Sequence, residues 1–105
     1  MQRVAFLLDL KQGAGESYDK DHAAVWPEML ALLKRGAISE YSISRRDTLL
    51  VLTMHVEDFE HACSLIENDP VNVRWQKAIS AYLVPRKDLR DGERFPMMRE
   101  VFYLA

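Results

Sequence analysis

The chain has 105 residues, of which 49% are hydrophobic and 29% are charged, and its formal net charge is −2. These values are typical of one globular domain, so we expect a single domain over residues 1–105. The small net charge argues against nucleic acid or an anionic membrane surface as a partner. The only cysteine, Cys63, cannot form an intramolecular disulfide and favours a cytoplasmic location.

The first half of the chain predicts a strand, a helix and a β-hairpin, in that order. Residues 3–10 form the expected strand, and their apolar run is too short for a signal peptide or a membrane span. A helix is expected over residues 16–35, with a kink or a restart at Pro27 because proline lacks a backbone N–H. Residues 37–45 alternate with a period of two and are expected to pair with residues 48–56.

The second half predicts two helices, a loop and a final strand. Asp58 is expected to cap a short helix, and Asp69 is expected to cap a helix over residues 70–83. Residues 85–97 are polar and interrupted by proline and glycine, which is typical of a surface loop. Residues 99–105 are expected to form the last strand. Together these elements predict an α+β fold with an antiparallel sheet and helices on one face.

Both faces of the predicted strands are apolar. In residues 48–56, one face carries Leu50, Leu52, Met54 and Val56, and the other carries Leu49, Val51 and Thr53. A sheet with helices on one face normally leaves its other face polar, and no helix remains here to cover the second face. A second copy of the same sheet is the simplest cover. The pattern therefore predicts a homodimer that packs sheet to sheet, with a pocket in each chain between the sheet and the helices.

The first predicted helix carries a candidate acid/base pair. Tyr18, His22 and Trp26 are spaced four residues apart, which places them on one side of a helix. The apolar residues Val25 and Met29 fall on the same side, so Tyr18 and His22 are expected to point inward. An imidazole beside a phenol in a cavity is suited to proton transfer. An ordinary core helix can contain the same spacing, and the spacing alone does not decide between the two interpretations.

Motifs for cofactors and metals are missing from the sequence. The chain has only four glycines and no glycine-rich phosphate loop, which argues against nucleotide binding. The three histidines, His22, His55 and His61, lie on different predicted elements and lack the spacing of a metal site. We therefore expect no cofactor and no metal.

Six aromatic and polar side chains are candidates for lining the predicted pocket. They come from the first helix, the second strand and the last helix: Tyr18, His22, Tyr41, Arg74, Trp75 and Gln76. The alternation of the strand predicts that Tyr41 shares its face with Ser39 and Ile43. Aromatic walls with a few hydrogen-bonding groups suit a sugar, whose C–H faces stack on rings while its hydroxyls meet polar groups. Large core side chains would show the same pattern, so both interpretations stay open.

Four ordered blocks of the sequence resemble the L-rhamnose mutarotase family, and the similarity covers essentially the whole chain. The blocks are His22-x-x-x-Trp26-Pro27-Glu28, Gly36-Ala37-x-x-x-Tyr41-Ser42-Ile43, Arg74-Trp75-x-Lys77 and Glu100-Val101-Phe102-Tyr103-Leu104. The resemblance implies a ferredoxin-like fold of the dimeric α+β barrel type. It also implies an isomerase that interconverts the α and β anomers of a 6-deoxy-L-hexose without a cofactor.

The resemblance also implies roles for individual residues. His22 matches the acid/base histidine, Tyr18 and Tyr41 match substrate-binding tyrosines, and Trp75 matches the first of two adjacent pocket tryptophans. Gln76 stands where the family has the second tryptophan. This difference affects the expected identity of the sugar more than the expected reaction. L-rhamnose is favoured slightly over L-fucose as the substrate.

Two other classes of function are compatible with the sequence. Dimeric α+β barrels include haem-degrading and quinol-type monooxygenases, in which a helix histidine or an Asn/Trp pair does the chemistry. A non-catalytic sugar-binding module would use the same aromatic pocket without speeding anomer exchange. Neither alternative is separated from a mutarotase by composition or spacing alone.

Overall fold

The computed structural model describes all 105 residues and has an α+β architecture. Its elements in chain order are β1 (Gln2–Leu10), α1 (Gly15–His22), α2 (Pro27–Arg35), β2 (Ile38–Arg46), β3 (Leu49–Val56), α3 (Phe59–Ile66), α4 (Pro70–Ile79), a 3₁₀ turn (Ser80–Tyr82), β4 (Leu83–Val84) and β5 (Met97–Met98). The sheet is antiparallel in the order β2-β3-β1-β4, and β5 also pairs with β1. This is the ferredoxin-like arrangement that the resemblance implied.

The predicted helix over residues 16–35 is two helices, because the chain restarts at Pro27. Trp26, the residue before the proline, is extended with φ −57° and ψ 136°. A residue before proline is pushed out of the helical region by the proline ring, and proline itself suits the first turn of a new helix. The predicted restart is confirmed. As a consequence, Trp26 precedes α2 and does not stack on the same helix as Tyr18 and His22.

Strand β2 contains an irregularity that changes which residues share a face. Ser39 pairs with His55, but Ser42 pairs with Thr53, so β2 has one extra residue between these two pairs. Glu40 takes up the distortion with a positive φ of 48°. Such a bulge reverses the alternation of side chains. The prediction that Ser39 and Tyr41 share a face was therefore wrong, since Ser39 lies on the outer face of the sheet.

The caps of α3 and α4 are those that the sequence predicted. The carboxylate of Asp58 accepts a hydrogen bond from the backbone N–H of His61 at 3.1 Å. The carboxylate of Asp69 accepts from the N–H of Val71 at 2.9 Å, with proline at the first helical position. Helix α4 ends at Ile79 and not at residue 83, because Leu83 leaves the helix to pair with Leu10 on β1.

The core lies between the inner face of the sheet and the four helices. Its fully or nearly buried side chains come from β1, β3 and all four helices: Phe6, Leu10, Tyr18, Met29, Leu32, Leu50, Leu52, Met54, Val56, Ala62, Trp75 and Ile79. Six of them form one cluster around the strands, and four form a second between α2 and α4. Burying a large apolar side chain stabilises the fold by roughly 1.5–3 kcal/mol, so these positions account for much of the stability.

The C-terminal residues 99–105 form no strand, so the predicted last strand was wrong. On this edge β1 already pairs with β4 at Asp9 and Leu10 and with β5 at Ala5 and Phe6. The segment is instead tied to β1 through Arg3, whose guanidinium bonds the Glu100 carboxylate at 2.8 and 3.1 Å. The same guanidinium lies 3.5 Å from the centre of the Tyr103 ring.

Candidate active site

A cavity of about 540 Å³ lies between the inner face of the sheet and the helices. Of its 25 lining residues, 20 are hydrophobic, so its few polar groups act in apolar surroundings. Five of the six predicted site residues line it: Tyr18, His22, Tyr41, Trp75 and Gln76. A largely apolar cavity with a few convergent polar groups is the usual form of a small-molecule site.

Arg74 is the predicted site residue that does not line the cavity. It is exposed on α4, next to the buried Trp75. Neighbouring residues on a helix point about 100° apart, so Trp75 faces inward while Arg74 faces away. Its predicted role in substrate binding therefore finds no support in this geometry.

His22 is the last residue of α1, and its ring is held in one tautomer by the backbone. Its Nδ1 lies 2.9 Å from the carbonyl oxygen of Tyr18. A carbonyl can only accept a hydrogen bond, so Nδ1 carries the hydrogen in the neutral imidazole. The other nitrogen, Nε2, is then left with a lone pair. A histidine in this state can take a proton from a bound molecule and return it.

Two aromatic rings contact this imidazole, and a third contacts one of those two. The Tyr18 ring stacks on it with centroids 4.0 Å apart and an angle of 25°. Trp75 meets it edge to face at 5.3 Å, and Trp26 in turn meets Trp75 at 5.1 Å. Each such pair contributes about 0.5–1.5 kcal/mol beyond its area burial. The restart at Pro27 is what allows Trp26 to support the site from outside the cavity.

The two phenols of the site stay protonated at neutral pH. Burial, with a smaller contribution from the nearby Asp19 carboxylate, raises the pKa of Tyr18 to about 12. Burial also raises the pKa of Tyr41, and the neighbouring Tyr18 adds to the effect. Tyr41 nevertheless keeps 37% of its surface exposed, and it lines the cavity. Both groups are therefore hydrogen-bond donors to a bound molecule.

A pair of amides lines the cavity beside Trp75. Gln76 Nε2 donates to Asn72 Oδ1 at 3.3 Å, and Asn72 Nδ2 donates to the carbonyl oxygen of Glu67 at 3.5 Å. Sequence reasoning included Gln76 but missed Asn72, which is only 7% exposed. The spacing of four residues between two amides on one helix is the signal that could have indicated Asn72.

The loop between β4 and β5 closes another part of the cavity. Phe95 stacks on Phe6 of β1 with centroids 4.5 Å apart. Arg94 bonds the carboxylates of Glu60 on α3 and of Glu67 just after α3, the latter at 3.1 Å. The sequence predicted a surface loop here, and no spacing in it indicated that two of its residues line the cavity. No group of three or more His, Cys, Asp or Glu side chains lies close enough together to hold a metal ion.

Comparison with known proteins assigns the chain to a family. A model of the L-rhamnose mutarotase family matches residues 3–104. The chain belongs to this family. An L-rhamnose mutarotase of Sinorhizobium fredii is 32% identical over 106 residues, covering 100% of both chains. One of Citrobacter koseri is 30% identical over 107 residues, again covering 100% of both.

Solved structures agree with this assignment. The crystal structure of an L-rhamnose mutarotase from Formosa agariphila has a TM-score of 0.81 and 25% identity, and the match covers 100% of both chains. The tetracenomycin F2 cyclase from Streptomyces glaucescens has a TM-score of 0.60 at 16% identity, which shows a shared fold alone. The predicted family resemblance is confirmed, and the chain is an isomerase. No helix in it is long and apolar enough to cross a membrane.

Proposed function

We propose that the protein interconverts the α and β anomers of L-rhamnose in the cavity, with His22 as the acid/base group. The observation that carries this proposal is the hydrogen bond from His22 Nδ1 to the Tyr18 carbonyl, which leaves Nε2 free in an aromatic cavity. The names of the curated relatives support the choice of sugar.

The proposed reaction moves one proton and breaks one ring bond. His22 Nε2 removes the proton from O1, the O1 electrons form the carbonyl, and the bond from C1 to the ring oxygen breaks. The imidazolium then returns the proton to the ring oxygen, which is bonded to the same carbon as O1 in the closed sugar. Rotation about the bond between C1 and C2 and reversal of these steps close the ring on the other face. Positioned acid/base catalysis of this kind contributes about 10²–10⁴-fold.

Tyr18 and Tyr41 act as hydrogen-bond donors in this proposal. Their pKa values are raised, so neither phenol is a base at neutral pH. A donor aimed at the ring oxygen stabilises the negative charge that develops there as the ring opens. Trp75 supplies an aromatic wall for the C–H face of the sugar. Gln76 offers an amide to a hydroxyl, and L-fucose, which differs from L-rhamnose at C2 and C4, is the main rival substrate.

Saturation-transfer NMR tests the proposal directly. The resonance of one anomer is saturated in an equilibrated solution of L-rhamnose, and the loss of signal from the other anomer gives the exchange rate. We expect a large increase on addition of the protein, and a smaller one with L-fucose. Binding of the sugar without faster exchange would instead support a non-catalytic sugar-binding module. A Soret band on addition of haem would support an oxygenase.

We also propose that two chains form a homodimer through the outer face of the sheet. Apolar side chains on this face are covered by no helix: Ala5, Leu7, Leu49, Val51, Val84 and Met98. The C-terminal segment adds Val101, Phe102 and Leu104, which are 88%, 79% and 81% exposed. A large exposed apolar surface usually marks an interface. Sedimentation equilibrium at micromolar concentration should give twice the chain mass, and a stable monomer would contradict the proposal.

The proposed location is the cytoplasm. The support is the free thiol of Cys63, which is half-buried on α3 and has no disulfide partner in the chain. Reducing compartments keep such thiols reduced. Fractionation of the source cells with an antibody to the protein tests this, and recovery in an exported fraction would contradict it.

A further inference from the structure

Asn72 is the one buried polar side chain in the core, and it connects two helices. It lies in the first turn of α4 with 7% of its surface exposed. Its partners are the backbone carbonyl of Glu67 just after α3 and the side chain of Gln76 one turn further along α4. A buried amide without partners costs roughly 1–3 kcal/mol, so these two contacts determine how Asn72 is oriented.

The chemistry of the three groups sets the direction of both hydrogen bonds. The carbonyl of Glu67 can only accept, so Asn72 must present its NH₂ group to it. The oxygen Asn72 Oδ1 then faces Gln76, and Gln76 must present Nε2 to that oxygen. The remaining atom of the Gln76 amide, Oε1, is left without a partner in the protein, and Gln76 lines the cavity.

We infer that Asn72 is a positioning residue that orients the Gln76 amide so that Gln76 Oε1 accepts a hydrogen bond from a sugar hydroxyl. This inference rests on the proposed function. An amide that can rotate places either its NH₂ group or its oxygen at a given point, whereas an amide whose Nε2 donates to Asn72 keeps Oε1 in one position as an acceptor. At this point of the cavity the site therefore requires a substrate group that can donate, and it disfavours one that cannot.

The first test is a double-mutant cycle measured by saturation-transfer NMR over a range of L-rhamnose concentrations. Asn72→Leu has a similar volume and removes both hydrogen bonds. We expect it to raise KM by roughly three- to tenfold, the equivalent of one neutral hydrogen bond, with kcat little changed. The same substitution in a Gln76→Ala background should not raise KM further, because no amide is left to orient. The control is Asn68→Leu, an exposed asparagine in the turn before α4, which should leave KM unchanged.

A purely structural role for Asn72 predicts a different result. The substitution would then lower the melting temperature and change kcat and KM to the same extent whether or not Gln76 is present. An unchanged KM after Asn72→Leu, or an equal increase in both backgrounds, would overturn the inference. Circular dichroism of each variant shows whether it is folded.

A second measurement needs no substitution at Asn72, so it can be made even if Asn72→Leu fails to fold. It tests whether Gln76 Oε1 accepts a hydrogen bond from the sugar. Fluorine accepts hydrogen bonds weakly and cannot donate, so L-rhamnose analogues with fluorine in place of the hydroxyl at C2, C3 or C4 remove one donor each. We expect one analogue to show a KM penalty in the unsubstituted protein that is lost in Gln76→Ala. If no analogue behaves this way, Gln76 Oε1 is not an acceptor for the sugar and the inference fails. If the unsubstituted protein does not exchange L-rhamnose at all, the proposed function fails instead.

Discussion

The two faces of strand β3 both carry large apolar side chains but have very different surroundings. On the inner face Leu50 is 0% exposed and Leu52 is 3% exposed, because the helices pack against them. On the outer face Leu49 is 39% exposed, and Val51 is covered by no helix of the chain. Alternation along a strand separates the two faces, but it does not say what covers each of them. The inner face holds the core and the cavity, and the outer face is available for a partner.

The largest expected effect concerns two histidines on opposite sides of the sheet. His22→Ala should lower the rate of L-rhamnose anomer exchange by about 10²–10⁴-fold, because the proposed acid/base group is lost. The matched control is His55→Ala, which removes an imidazole from the outer face and should leave the rate nearly unchanged. Tyr18→Phe should cost less than His22→Ala, since it removes a hydrogen bond and keeps the ring. Exchange at a normal rate in a folded His22→Ala protein would show that another group moves the proton.

Substitutions at two adjacent leucines compare how much each face of β3 contributes to the free energy of unfolding. Leu50→Ala should lower the free energy of unfolding by about 2–5 kcal/mol, because it leaves a cavity among buried side chains. Leu49→Ala, one residue earlier and half-exposed, should cost about 0.5 kcal/mol or less in a single chain. Urea-induced unfolding followed by circular dichroism measures both values. Similar losses in the two variants would mean that the outer face is packed as tightly as the inner one.

A charge placed on the outer face tests what covers it. Val51→Arg puts a guanidinium in the middle of the proposed interface, where burying an unpaired charge is costly. We expect sedimentation equilibrium to shift from the mass of two chains toward that of one. Gln12→Arg adds the same charge in an exposed turn after β1 and should leave the mass unchanged. A dimer that survives Val51→Arg must use another surface.

A smaller effect, on the preference between two sugars, is expected from helix α4. The comparison is between Gln76, which lines the cavity, and Arg74, which does not. Gln76→Trp replaces an amide by an aromatic wall and should change the ratio of L-rhamnose to L-fucose exchange rates by roughly two- to tenfold. Arg74→Ala, on the side of α4 that faces away from the cavity, should leave this ratio unchanged. The test measures the anomer exchange rates of L-rhamnose and L-fucose with each variant. If Gln76→Trp does not alter the ratio, Gln76 does not distinguish the two substrates.

The smallest effect is a pH dependence that arises on the inner face. The pKa of Tyr18 is raised to about 12 in the folded protein, and an unfolded tyrosine has a pKa of about 10. The unfolded chain therefore loses this proton first as the pH rises, and the stabilisation is full below about pH 10 and lost between about 10 and 12. The free energy of unfolding should fall more steeply in this range than it does for Tyr18→Phe. Parallel pH profiles would mean that the phenol is not buried.

Part of the site could be predicted from the sequence because its signal is local. The spacing of four residues places Tyr18 and His22 on one helix, and both line the cavity. The hydrogen bond between His22 and a backbone carbonyl cannot be inferred from the types of the side chains. The tautomer of His22 could therefore be assigned only from the structure. Tyr41 was predicted for the site with Ile43 and Ser39 on its strand face, and only Ser39 was wrong, since nothing in the residues of β2 indicated the bulge at Glu40.

The sequence by itself determined the elements whose causes are local. The caps at Asp58 and Asp69 and the restart at Pro27 depend on hydrogen bonds and sterics within a few residues, and all three are present. Only the tertiary structure decided the features that depend on distant partners. The expected strand over residues 99–105 pairs with no strand of the sheet and is held through Arg3 instead, and Arg74 and Trp75 differ in burial because one side of α4 packs on the core. Strand pairing and burial depend on contacts with residues that are distant in the sequence. The residues next to a position in the sequence do not determine those contacts.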